Sequence, residues 1–177
     1  MNTGRDNIVL VGMPASGKST VGVILAKVLG MDFLDTDIVI QQREGARLNE
    51  IIEKEGVDGF LKKEEEALLS INVSNTVIAT GGSAVYSDAA MKQMGMGAKI
   101  IYLKVPLDEL KRRLIDIKER GVVLREDESM ESMFEVRSKL YEKYADIIVS
   151  EEDGFIENTV QSVLNMGREY GIIGDIV

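Results

Sequence analysis

The chain has 177 residues, 45% hydrophobic and 29% charged, proportions that suit one soluble domain with a sizeable core. A net charge of −9 argues against a nucleic-acid partner, and no apolar run approaches membrane-spanning length, which argues against a membrane partner. Without cysteine or histidine there are no disulfides, thiol nucleophiles or imidazole bases, so a general base must be a carboxylate, or else Lys or Tyr.

Residues 1–6 carry no signal-peptide core, which makes a cytoplasmic enzyme the expectation. Ile8, Val9, Leu10 and Val11 read as a buried parallel strand. Residues 12–20, GMPASGKST, then match G-x-x-x-x-G-K-[ST] at Gly12, Gly17, Lys18 and Ser19. Behind them Val21, Ile24, Leu25, Val28 and Leu29 recur at helical spacing, with Gly30 placed to end the helix. Strand, glycine loop and helix are the setting of a phosphate-binding loop. Backbone N–H groups around Ala15, Ser16 and Thr20, with the helix N-terminus, would cradle the phosphates of a nucleotide. Lys18 would reach the β- and γ-phosphates and the Ser19 hydroxyl would ligate Mg²⁺. A plain glycine turn before an ordinary helix is the bland alternative.

Residues 31–34 read as the second strand, ending at Asp35 and Asp37. Carboxylates at the C-terminal end of a parallel strand can hold Mg²⁺ and engage a hydroxyl; a helix cap at Asp37 is the alternative. Two short helices follow over residues 48–55 and 59–71, joined near Gly56. The run Lys62, Lys63, Glu64, Glu65, Glu66 reads as a solvated face. A strand over residues 76–79 ends at Thr80, Gly81, Gly82 and Ser83, where paired glycines suggest either close backbone approach or a simple turn. Residues 87–94 give a helix and 99–104 a strand; Pro106 then opens an amphipathic helix carrying Leu107, Leu110, Leu114 and Ile117. Residues 118–127 break the periodicity and form a candidate mobile lid, taken as about 117–128. Residues 131–144 are helical with Met133, Phe134, Val136 and Leu140 on the buried face; a strand at 145–149 and a helix at 155–166 close the chain. The expected fold is α/β: a single domain over 1–177, with a doubly wound parallel sheet of five strands, helices on both faces, and the lid of a P-loop kinase.

At the P-loop, Phe33 to Asp37, Phe60 with Glu64, Ala79 to Gly82, Arg120, and Arg137 with Tyr141, the chain resembles the shikimate kinase family over roughly residues 6–150. The resemblance implies transfer of the γ-phosphoryl of ATP to a hydroxyl of shikimate, giving shikimate 3-phosphate. It implies Asp35 beside Ser19 at Mg²⁺, Asp37 on the reacting hydroxyl, and Gly81 and Gly82 offering N–H groups to the acceptor. Arg137 would pair with the acceptor carboxylate, Arg120 would close over the phosphates, and Arg113 would lie against adenine.

Three positions depart from the family pattern. Leu61 stands where the pattern has an arginine that contributes to the carboxylate clamp, Ser83 replaces the third glycine, and Arg120 is followed by Gly121 where the family has proline. A kinase of another small hydroxylated metabolite, or a catalytically silent nucleotide-binding regulator, are the rival readings. A monomer is the expected state.

Overall fold

The computed structural model describes residues 7–114, 122, 123, 125, 128–151 and 155–171. Strand β1 (Asn7–Val11) lies at the centre of a parallel sheet, with β3 (Thr76–Ala79) on one side and β4 (Ala98–Lys104) on the other. β2 (Asp32–Asp35) pairs outside β3, and β5 (Ile147–Ser150) outside β4, so the order is β2-β3-β1-β4-β5. Val9 faces Ile78 and Ile100 in register. Because successive side chains alternate across a strand, β1 feeds two cores.

Ile8 and Leu10 pack with α1 (Lys18–Leu29) and α7 (Ile156–Glu169) through Val21, Leu25, Val160 and Val163. Val9 and Val11 pack on the opposite face with α3 (Leu48–Leu69), α4 (Asp88–Gly95) and α6 (Met130–Tyr144), through Leu68, Met91 and Tyr141. Each such aliphatic side chain, fully buried, contributes about 1.5–3 kcal/mol. The expected doubly wound sheet with helices on both faces is therefore what the chain forms. A third, smaller cluster joins α2 (Thr36–Glu44) to α3 through Ile40, Leu48, Ile51 and Phe60, and Val123 closes it.

Several local readings are corrected. The cap of α2 is Asp35, whose carboxylate accepts from the Asp37 N–H; Asp37 itself lies in the first turn. Gly56 is a kink of φ 71°, ψ 175° inside α3, as the break near that residue led one to expect. The run of charges at 62–66 is not wholly solvated, because Glu64 is only 2% exposed. It sits one turn from Phe60 and one turn from Leu68, on the face that α3 turns inward. On α6 the inward stripe is Met133, Arg137 and Tyr141 at i, i+4, i+8, while Val136 is 46% exposed. α5 (Leu107–Arg113) starts after Pro106 as expected and reaches its cap at Leu114; Ile117 and most of the lid, Arg120 included, lie outside the described residues.

Candidate active site

The loop between β1 and α1 is shaped by contacts that only glycine permits. A Cβ on Gly12 would stand 2.8 Å from the Leu103 carbonyl oxygen and 2.9 Å from Ser16 Oγ. Gly17 has φ 86° and opens α1 from a left-handed conformation. Ala15 is also left-handed at φ 62°, an uncommon state for a residue with a side chain, and Ser16 is buried beneath it. Lys18 folds back into this loop: its Nζ donates to the carbonyls of Gly12 (2.9 Å) and Met13 (2.8 Å) and lies 3.4 Å from Ser16 Oγ. Burial lowers its pKa from 10.5 to about 8, against the opposing pull of Asp37 and Asp35. Those loop carbonyls thus hold the ammonium at the floor of the cavity. Thr20, one residue after Ser19, is on the cavity wall.

Ser19 Oγ donates to Asp35 Oδ2 at 2.6 Å, and Asp35 Oδ1 accepts the Asp37 N–H at 2.9 Å. One carboxylate therefore ties the phosphate loop to the start of α2 and fixes where Asp37 projects. The Asp37 carboxyl rises from 3.8 to about 6, chiefly through burial and then through the negative charge of Asp35, with Lys18 opposing.

Opposite lies the turn after β3. An added Cβ at Gly81 would come within 2.6 Å of Glu64 Oε1 and 2.8 Å of Asp37 Oδ1; at Gly82 it would meet Pro14 Cδ at 2.7 Å and Arg137 Nη1 at 3.2 Å. The two glycines are thus places where backbone approaches side chains of the site, as one of the two sequence readings had it. The Gly81 N–H, however, donates to Thr36 Oγ1 at 3.0 Å, which corrects its expected availability and leaves Gly82 as the candidate donor. Tyr141 OH donates to the Gly82 carbonyl at 2.6 Å and so anchors the turn to α6.

Arg137 is 1% exposed. Its Nε donates to Tyr86 OH at 3.2 Å and its Nη2 to the Val123 carbonyl, while Nη1 is buried without a partner among the described residues. Glu64 is its counterpart: Ser83 Oγ donates to Oε2 at 2.6 Å, and Oε1 is buried without a partner among the described residues. Burial raises the Glu64 carboxyl from 4.5 to about 7, with the Ser83 hydrogen bond opposing. Two buried polar atoms left open in this way can be satisfied by a polar ligand or by ordered water.

Lys18, Ser19, Asp37, Glu64, Gly81, Gly82, Ser83 and Arg137 line one cavity of about 740 Å³ that includes the phosphate loop, with Asp35, Thr36 and Tyr141 supporting it from behind. At its other end Arg113 pairs with Glu109 (2.7 Å) and with the nearly buried Glu151, and its Nη1 donates to the Ala15 carbonyl at 3.3 Å. Ile156 closes that end over Gly17. Of the residues expected at the site, Ala15, Gly17, Lys18, Ser19, Thr20, Asp37, Gly81, Gly82, Arg113 and Arg137 line this cavity, Gly12, Ser16 and Asp35 are hydrogen-bonded to its lining, and Arg120 is outside the described residues. Thr36, Glu64, Tyr86 and Glu151 were not singled out from the residues alone. Only Glu64 had a signal, its helical spacing from Phe60 and Leu68.

Known proteins resemble this chain along most of its length. A sequence model of the family described as shikimate kinase matches residues 14–167. A shikimate kinase of Actinobacillus pleuropneumoniae is 36% identical over 152 residues, covering 84% of this chain and 88% of that protein. One of Clostridium botulinum is 36% identical over 169 residues, 93% and 96% of the two. Among solved structures, the shikimate kinase of Acinetobacter baumannii in complex with shikimate superposes with a TM-score of 0.86 at 30% identity, covering 94% of each chain.

Proposed function

The chain belongs to the shikimate kinase family, and from that premise we propose how its residues transfer the γ-phosphoryl of ATP to a hydroxyl of shikimate. The observation that carries the acceptor half is the pair of unpartnered buried atoms, Arg137 Nη1 and Glu64 Oε1, in the same cavity as Lys18. A guanidinium open on one side suits the carboxylate of shikimate, and a carboxyl open on one side suits its hydroxyls.

The nucleotide phosphates take the loop from Gly12 to Thr20, and Lys18 leaves the Gly12 and Met13 carbonyls for the β- and γ-oxygens. Arg113, held flat by Glu109, Glu151 and Ala15, lies beside the adenine with Ile156 across from it. Ser19 and Asp35 already bring two hard oxygens within 2.6 Å of one another, a donor pair that fits Mg²⁺, which keeps its other positions for phosphate and water. That ion would supply charge neutralisation across the β- and γ-phosphates.

The reacting hydroxyl sits on Asp37. Its oxygen attacks the γ-phosphorus, the bond from that phosphorus to the β–γ bridging oxygen breaks, ADP leaves, and the hydroxyl proton passes to the Asp37 carboxylate. A carboxyl near 6 is well placed for this, ionised at neutral pH yet far more basic than a free aspartate. The 3-hydroxyl is the acceptor position, giving shikimate 3-phosphate. Arg120 joins the proposal on sequence alone, as the cation that a lid over residues 117–128 lays on the phosphates. We take the enzyme to be a single-domain cytoplasmic protein that needs neither nucleic acid nor membrane, on the strength of its charge of −9 and its composition, with a monomer as the default state. No helix among the described residues is long and apolar enough to cross a membrane.

The test is ADP release with shikimate as acceptor. Wild type is expected to turn over, Asp37→Asn to lose at least a hundredfold in kcat, the general-base range, with ATP affinity kept. Wild type that binds ATP yet releases no ADP with shikimate overturns the assignment.

A further inference from the structure

The departures at positions 61 and 83 meet at one carboxylate. Ser83 Oγ donates to Glu64 Oε2 at 2.6 Å, the one hydrogen bond found for the Glu64 side chain among the described residues. The other oxygen, Oε1, is turned toward Gly81, 2.6 Å from where a Cβ there would stand. Glu64 and Ser83 also border a second cavity, of about 200 Å³, with Leu61, Lys62, Glu65, Leu68 and Tyr86 among its other walls; no hydrogen bond joins Lys62 to Glu64 among the described residues. That is the room a longer side chain at position 61 would enter, and Leu61 brings no donor into it.

A buried carboxylate with no donor is costly, and the usual remedy is a cation. Asp37 adds repulsion at Glu64, and Arg137 attracts it without being bonded to it. Ser83 is 4% exposed and adopts φ −93°, ψ −7°, which any residue tolerates, so the hydroxyl is placed at no backbone cost. We propose that Ser83 is a positioning residue for the acceptor site, standing in for the guanidinium absent at position 61. By holding Oε2 it keeps Oε1 turned into the cavity that takes the acceptor. The departures at 61 and 83 are then one compensated change rather than two losses. The inference rests on the shikimate assignment above.

The experiment is a cycle of Ser83→Gly, Leu61→Arg and the double variant, reading KM for shikimate, KM for ATP and kcat, with Tm as the check on folding. Losing a hydrogen bond to a charged group costs roughly ten- to a hundredfold in affinity. Ser83→Gly is therefore expected to raise KM for shikimate at least about tenfold, with KM for ATP unmoved. Ser83→Ala, which adds no backbone freedom, should match it, and Ser83→Thr, which keeps the hydroxyl, should restore the wild-type value. Leu61→Arg should recover most of the loss in the Ser83→Gly background and do little in wild type. An unchanged KM for shikimate in Ser83→Gly and Ser83→Ala overturns the inference, as does an equal effect of Leu61→Arg in both backgrounds. Wild type inactive on shikimate would instead overturn the assignment beneath it.

Discussion

Asp37 and Glu64 are acids kept in a site that disfavours their charge, one raised from 3.8 to about 6 and the other from 4.5 to about 7, both chiefly by burial. In each case the folded chain holds its proton more tightly than the unfolded chain. The resulting stability is present in full below the unfolded values and is lost as pH rises through about 6 and about 7. At pH 8 both groups are ionised and each costs on the order of 2–3 kcal/mol relative to a neutral isostere. Asp37→Asn and Glu64→Gln are thus expected to raise Tm at pH 8 by roughly 4–12 °C each and to leave it nearly unchanged at pH 4. Melting curves at the two pH values check this, and equal Tm at pH 8 would remove the electrostatic account. In the same way kcat/KM should climb as pH passes about 6 and Asp37 ionises. Residues of the phosphate loop were readable in the sequence because backbone cradles impose glycine and lysine at fixed local spacing. Glu64 was legible only through its helical spacing from Phe60 and Leu68; the Ser83 hydrogen bond that holds it comes from 19 positions away and left no local mark.

At the scale of elements, α3 shows what glycine punctuation does. Gly56 has φ 71° and ψ 175°, a region that residues with side chains almost never occupy, and it lets α3 change direction between the turn carrying Ile51 and the turn carrying Phe60. Both residues then reach the cluster that also holds Ile40 of α2, and Glu64 is carried to the cavity one turn later. Among the described residues, no atom beyond its chain neighbours and its own helix backbone lies within 4 Å of a Cβ built on Gly56, so substitution there is opposed by the backbone alone. Gly56→Ala should cost about 1–3 kcal/mol. Gly45, at φ 65°, ψ 23° in the C-cap of α2, gives the contrast: Asn tolerates that conformation, and Gly45→Asn should cost little. Chemical denaturation of the two variants separates these costs, and equal losses would mean that the kink is not what Gly56 supplies. The break at this glycine was readable because conformation at Gly is a local matter. The inward face of α6 was not: counting apolar residues favoured Val136, whereas the cavity places Arg137 inward and leaves Val136 46% exposed. A buried arginine breaks the apolar pattern by which faces are recognised.

For the whole molecule, alternation of strands and helices was enough to give the doubly wound sheet, since each apolar run has one compatible layer. Placement of the site follows from the order β2-β3-β1-β4-β5. The chain leaves β1 toward β2 on one side and later crosses to β4 on the other, so the C-terminal end of β1 is where the winding reverses and a crevice opens. The phosphate loop, Asp35 with Asp37, the turn at Gly81 and Gly82, and α5 all emerge at that end, while α6 closes the acceptor side with Arg137. On the proposed assignment the two ligands have separate anchors within one cavity: Lys18 and Ser19 for the nucleotide, Glu64 and Arg137 for the acceptor. A ligand at a hundred times its Kd adds about 2.7 kcal/mol, which in a chain of this size raises Tm by roughly 5–11 °C. ADP with Mg²⁺ and shikimate should each give such a rise in wild type. Lys18→Ala should lose the nucleotide's rise and keep most of shikimate's, while Arg137→Ala should do the reverse, because each removes a charge from one anchor only. Thermal shifts of the three proteins with each ligand alone provide the measurement. If Lys18→Ala abolished both rises, the cavity would have to be one site whose parts fold around the nucleotide together, and the separate anchoring derived from Arg137 and Glu64 would fall.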